Sequence, residues 1–202
     1  MDEVKSFMIG GSETGSNFLV ALILFVFEKP EVAQKLKREI DLVIRSDEYI
    51  TVENMKKLSY LECIILEVKR KFGVLPGCLQ RELIEDTLIG GVGVRKGTLI
   101  DTNWMSISYK PEIFEDPFEF ILEWWQRADY KEKQQLVSMV FSSGPRNFIG
   151  KNLALFEIKV MTIKLIKRYE KAIEHNIKDR AYNMPFALHI KNCQASLIKS
   201  NQ

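Results

Sequence analysis

The sequence predicts an α+β fold, predominantly α-helical, with small β-sheets. Three observations lead there. Four stretches carry apolar residues at helical spacing, two later stretches read as short strands around glycine turns, and no internal repeat or low-complexity linker divides the chain. The 202 residues are 46% hydrophobic and 28% charged, enough to bury one sizeable core and too apolar for disorder. A formal net charge of +2 gives no electrostatic footprint for nucleic acid or an anionic membrane. Three scattered cysteines, Cys63, Cys78 and Cys193, make neither a disulfide framework nor a zinc site and fit a reducing compartment.

The first helix is expected over residues 6–28. Its run Phe18–Phe27 (FLVALILFVF) is about half the roughly 20 apolar residues of a membrane span, so a buried core helix is the reading, with no transmembrane segment. Met1-Asp2-Glu3-Val4 lacks the basic start of a signal peptide. Gly10 and Gly11 count against helix, at about 1 kcal/mol each relative to alanine. Pattern alone prefers a loop from Gly10 to Ser16, capped by Ser16 or Asn17.

Pro30 suits the first turn of a second helix (30–45), with Val32, Leu36, Ile40 and Val43 on one stripe. Thr51 is a candidate N-cap for helices over 52–72, with a break near Ser59. Gly73 and Pro76-Gly77 stop them. Short β segments are expected over 78–103 around the Gly90–Gly93 turn, then an irregular meander over 104–140 and the loop FSSGPRNFIG (141–150). A helix over 150–170 and a β-hairpin over 182–199 complete the expectation.

The glycine motifs do not build a nucleotide site. Gly10 to Ser16 has the outer spacing of a phosphate loop without its lysine, Gly144 to Lys151 has one residue too many, and Gly91-Val92-Gly93 lacks the third glycine. Glu67 and Arg70 stand at i, i+3 on a helix and can pair; taken alone, the pair reads as a solvated surface contact of little energy.

In order along the chain stand Gly10-Gly11-Ser12-Glu13-Thr14, Glu67-Val68-Lys69-Arg70, Asp116-Pro117-Phe118-Glu119-Phe120 and Phe141-Ser142-Ser143-Gly144-Pro145-Arg146-Asn147-Phe148-Ile149-Gly150. Arg81 with Asp86, Lys96-Gly97-Thr98 and the Lys-Pro-Glu start of the second helix accompany them. In this combination the chain resembles the C-terminal part of the cytochrome P450 family, the haem-thiolate monooxygenases, over nearly all of residues 6–199. The resemblance implies a partial fold of that family in one domain. Glu13 and Thr14 match its proton-relay positions, with Gly10 and Gly11 giving the porphyrin room. Glu67 and Arg70 match its internal ion pair, and Trp124 occupies the place of that pair's third partner, an arginine, so a looser or repacked local structure is expected. Arg81 and Arg146 match positions near the haem propionates, and Phe141, Gly144, Phe148 and Gly150 belong to the haem loop.

Phe148 stands where the family places its iron-ligating cysteine. The family's chemistry depends on that sulfur's electron donation, and a phenyl ring has no lone pair. The expectation is therefore a degenerate, non-catalytic member with no metal ligand and no cofactor. The alternative is a haem-thiolate monooxygenase hydroxylating a small apolar substrate with O2, truncated here or completed by another chain, and served by a redox partner. A third option keeps haem through a different ligand, for which the sequence names no candidate. Relative to the family a substantial N-terminal portion is missing. A protein partner is accordingly expected on the apolar face of the first helix, at Phe18, Leu22 and Phe25.

Overall fold

The computed structural model describes residues 2–45, 48–75, 77, 80–174, 181–183, 188–191 and 195–200. Helix α1 runs from Asp2 to Phe27, straight through the glycines. The loop preferred there by pattern is thus replaced by helix, and the start lies four residues before the expected one. Hydroxyls that could have capped a new helix donate up the existing one instead. Ser12 Oγ donates to Met8 O (2.6 Å), Thr14 Oγ1 to Gly10 O (2.7 Å) and Ser16 Oγ to Glu13 O (3.1 Å). The glycine penalty is outweighed by the apolar second half, where Ala21, Leu22, Leu24 and Val26 are buried.

By length and composition Gly10–Phe27 would suffice to cross a membrane, because its small residues extend the apolar run the sequence reading counted. In this fold the helix packs on α2 (Pro30–Val43), α4 (Ser59–Lys71) and α7 (Lys151–Arg168), with 39% of that stretch buried. Phe18 and Leu22 are buried, and Phe25 stacks on Phe120 at 5.3 Å. Of the three residues named for the partner face, Phe18 and Leu22 are thus in the core, and Phe25 is only partly buried. Among the described residues, the large apolar side chains that α1 exposes are Val4, Met8 and Val20.

Helix α2 buries Val32, Ala33, Leu36 and Ile40, with Val43 only partly covered. Its last carbonyls are satisfied from the other end of the chain: Lys167 Nζ lies 2.6 Å from Ile44 O and 3.0 Å from Arg45 O. Thr51 caps α3 (Val52–Lys56) by accepting from Asn54 N. The break expected near Ser59 separates α3 from α4. Glu39 of α2 fills it, its carboxylate accepting from Tyr60 N (2.7 Å) and Leu61 N (3.0 Å) at the start of α4.

Beyond α4 lie two antiparallel pairs. β1 (Arg81–Glu82) pairs with β4 (Leu99–Ile100), and β2 (Thr87–Ile89) with β3 (Val92–Val94). The β2–β3 turn has Gly90 at φ 57° and Gly91 at φ 83°, the positive angles a two-residue hairpin needs. Cys78 lies outside the described residues. The meander is less irregular than expected. It holds α5 (Trp104–Ser108), 3-10 turns at Glu123–Gln126 and Ala128–Tyr130, and α6 (Lys131–Ser138).

Helix α7 ends at Arg168, two residues early, because Tyr169 opens a strand. β5 (Tyr169–Glu174) pairs with β8 (Ala195–Lys199), and β6 (Ala181–Asn183) with β7 (His189–Lys191). The single hairpin expected over 182–199 is therefore an inner pair and an outer pair, the latter drawing its partner from Tyr169–Glu174, which overlaps the expected helix only at residues 169–170.

The candidate pocket and its buried ion pair

The Glu67–Arg70 pair is wholly buried, each side chain 0% exposed, so the solvated-pair reading is overturned. Arg70 Nε and Nη2 grip the carboxylate at 2.9 and 2.7 Å in a bidentate fork. The remaining donors reach Ser108 O (3.0 Å), Pro117 O (2.7 Å) and Glu119 O (2.7 Å), so the guanidinium has every donor engaged. Glu67 also accepts from Ile121 N (3.0 Å) and Trp125 Nε1 (3.1 Å).

Two adjacent tryptophans share the place the resemblance gives to the pair's third partner. Trp124 lays its ring 5.1 Å from the guanidinium carbon, while its neighbour Trp125 supplies the N–H. Because Phe114 flanks the guanidinium at 5.3 Å as well, the region is fully packed and bonded rather than loose.

The loop after the 3-10 turn Met139–Phe141 is held by Phe148 N donating to Phe141 O (2.8 Å). Ser142 (φ 64°) and Gly144 (φ 72°) turn the backbone, and Lys151 N returns to Phe148 O. Phe148 stacks on Phe141, centroids 6.3 Å apart and planes 12° apart. Its ring is lodged between two glycines. A Cβ on Gly150 would lie 2.8 Å from Phe148 Cζ, and one on Gly10 would lie 4.0 Å from Cε2. Benzyl side chain thus spans the gap from the loop to α1.

Two cavities flank that ring, about 540 and 770 Å³ in volume, both lined by Gly10, Thr14, Phe148 and Ile158. Thr14 reaches both; Glu13 is among the lining residues of neither. Arg146 lines the smaller cavity from its exposed rim. Arg81 is also exposed, with Nη2 donating to Ser142 Oγ (2.8 Å), so both arginines stand on the loop's side of the cavity.

The pattern reading passed over Lys69. Only 5% exposed, it lines the smaller cavity with Nζ 5.5 Å from the Phe141 centroid. Burial pulls its amine down to about 8; Lys151 and Lys159 push the same way and Glu62 opposes them. The signal was available in the spacing, since Leu66, Lys69 and Phe72 share one stripe of α4.

Haem is the group the resemblance implies, and among the described residues no thiol or imidazole lines either cavity to ligate it. The loop position where the resemblance puts the thiolate ligand carries Phe148, which has no donor atom. Cys63 is buried in the core, its thiol pushed up by burial, and is not among the cavity's lining residues. Cys193, His175 and the His189 side chain lie outside the described residues.

A family model described as "Cytochrome P450" matches residues 1–197. The chain is 33% identical over 169 residues to cytochrome P450 4V2 of Mus musculus, covering 83% of this chain and 32% of that protein. It is 30% identical over 163 residues to cytochrome P450 3A19 of Capra hircus aegagrus, covering 81% and 74%. With a probable mitochondrial cytochrome P450 12a5 of Drosophila melanogaster it shares 29% identity over 184 residues, covering 85% and 34%. The chain thus spans about a third of the length of the mouse and fly relatives. Motif order, the buried carboxylate–guanidinium pair and these matches agree: the chain belongs to the cytochrome P450 family.

Proposed function

We propose that this chain is a non-catalytic member of the family, a binding domain that holds no haem and carries out no monooxygenation. The observation behind the reading is the seat of Phe148. Its ring, 38% exposed, stands between the loop and α1, where a Cβ on Gly150 would meet it at 2.8 Å and one on Gly10 at 4.0 Å. A donor-free ring cannot activate iron-bound oxygen. The trough between α1 and α7, with Met8, Leu153 and Met161 exposed along it, then serves as a docking face. Its occupant is the polypeptide that makes up the rest of a relative such as the mouse protein, on the same chain or a separate one.

Absorption spectroscopy tests the reading. Chain produced with haem supplied, alone and together with such a polypeptide, is expected to show no Soret band and no thiolate-type carbon monoxide difference spectrum. Either band in the natural chain would overturn the proposal. It would favour the second reading, a haem-dependent monooxygenase completed by another chain, for which Thr14 and Arg146 at the cavity wall speak. Phe148→Cys under the same conditions assigns the loss: a band in the variant alone makes Phe148 its cause.

A further inference from the structure

Among the described residues, Lys69 is the one titratable side chain lining the 540 Å³ cavity that is withdrawn from solvent, since Arg146 stands at the exposed rim. Among the described residues no carboxylate pairs with it. Glu62, on the same helix, is committed to Lys159 at 2.6 Å, and Lys151 and Lys159 of α7 add positive charge around it. An ammonium in apolar surroundings without a counter-ion is costly. Desolvation and a neighbouring cation are the two conditions that leave an amine neutral and nucleophilic.

We infer that Lys69 is a reactive amine and that the cavity takes an apolar aldehyde or ketone, held covalently as an imine on Nζ. The lone pair of the neutral amine adds to the carbonyl carbon, and the carbonyl π electrons move to oxygen, which takes a proton from water. The hydroxide so formed takes one proton from the now cationic nitrogen, restoring the water. The carbinolamine then loses its hydroxyl and the remaining nitrogen proton as water, leaving C=N. One water is released and nothing is oxidised or reduced. The aromatic wall of Phe18, Phe72, Phe141 and Phe148 suits an aryl or alkyl body. The inference rests on the haem-free reading, because a porphyrin seated there would occupy the same cavity.

The probe is benzaldehyde at substoichiometric level with cyanoborohydride, applied near pH 7 to the full chain and read by peptide mass spectrometry. An exposed lysine has an ordinary pKa of about 10.4, so the neutral fraction of Lys69 exceeds it by about a hundredfold. Selective N-benzylation of Lys69, about tenfold or more above any other lysine, is expected. The α-amino group, whose ordinary pKa is about 8, is scored separately. Selectivity should vanish in urea, and added benzyl alcohol, which cannot form an imine, should slow labelling at Lys69 alone. Lys69→Met, checked for native circular dichroism, should lose the adduct while the rest of the pattern stays. Labelling spread evenly over the lysines, or Lys69 labelled no better folded than unfolded, would overturn the inference. An absorption spectrum of the same sample separates the two claims. A Soret band refutes the haem-free reading whatever Lys69 does, and unlabelled Lys69 without a band refutes this one alone.

Discussion

Glu67 and Arg70 show how an i, i+3 pair acquires weight from what surrounds it. On a surface the contact would contribute well under 1 kcal/mol. Here both charges are out of water, and three backbone carbonyls plus two N–H donors complete their bonding. Removing one charge strands the other, so Arg70→Met should destabilise by about 3–5 kcal/mol in urea unfolding; a loss below 1 kcal/mol would mean water reaches the pair. Trp125→Phe deletes only the indole donor to a charged acceptor and should cost about 1.5–3 kcal/mol. Trp124→Phe keeps an aromatic face over the guanidinium and should cost less than Trp125→Phe, a ranking opposite to that expected from the arginine position in the family. Lys69 lends itself to a pH measurement. Its folded value of about 8 lies below the ordinary lysine value of about 10.4, so between those two the unfolded chain binds the extra proton and stability rises with pH. Lys69→Met should therefore be more stable than the natural chain by up to about 3 kcal/mol below pH 8. That gap should close as pH approaches 10.5. A gap unchanged between pH 7 and pH 10 would mean the amine is hydrated in the folded state.

At the scale of elements, the glycines of α1 and α7 do different jobs. A Cβ on Gly11 meets nothing within 4 Å, so Gly11→Ala should raise stability by about 1 kcal/mol through helix propensity alone. Gly150 lies against the Phe148 ring, and Gly150→Ala should destabilise in thermal melts. Phe148→Ala in the same chain should remove that penalty; if it does not, the ring is not what Gly150 accommodates. The contrast also explains what could be read beforehand. α2, α3 and α4 were legible because their caps and stripes are local, as Thr51, Pro30 and Leu36 show. Through Gly10 and Gly11 helix was unreadable by pattern, since hydroxyl donation up the helix and burial of Leu22 decide it. Helix α6 was missed because KEKQQLVS buries only Val137. The β5–β8 pairing joins residues more than twenty apart, beyond any local periodicity. The Phe148 substitution was visible in the sequence, but its lodging against Gly10 was not, because that is a distance between elements far apart in the chain. Likewise the choice of Trp125 over Trp124 depends on the rotation of a 3-10 turn.

Over the whole molecule, stability is divided unevenly. The second half of α1 packs with α2, α4 and α7, and Lys167 ties the end of α7 to the end of α2, so helices far apart in the sequence close on one core. Residues 81–100 contain no buried side chain. They are attached chiefly by backbone pairing, by Lys96 N on Asp86 Oδ1 (2.7 Å) and by Arg81 on Ser142. Few buried contacts allow a segment to open without the rest. Amide hydrogen exchange should therefore find α4 exchanging only through global unfolding, at about 5–15 kcal/mol for a domain. The β1–β4 and β2–β3 pairs should exchange several kcal/mol below it. Arg81→Ala should lower protection further in β1 and β4 and leave α4 unchanged, because Arg81 bonds the loop and not the core. Equal protection in both regions would show the strands to be part of the core unit. The cavity wall would then move only with global unfolding, and entry of a carbonyl compound to Lys69 would be limited by unfolding rather than by opening of the strands beside the loop.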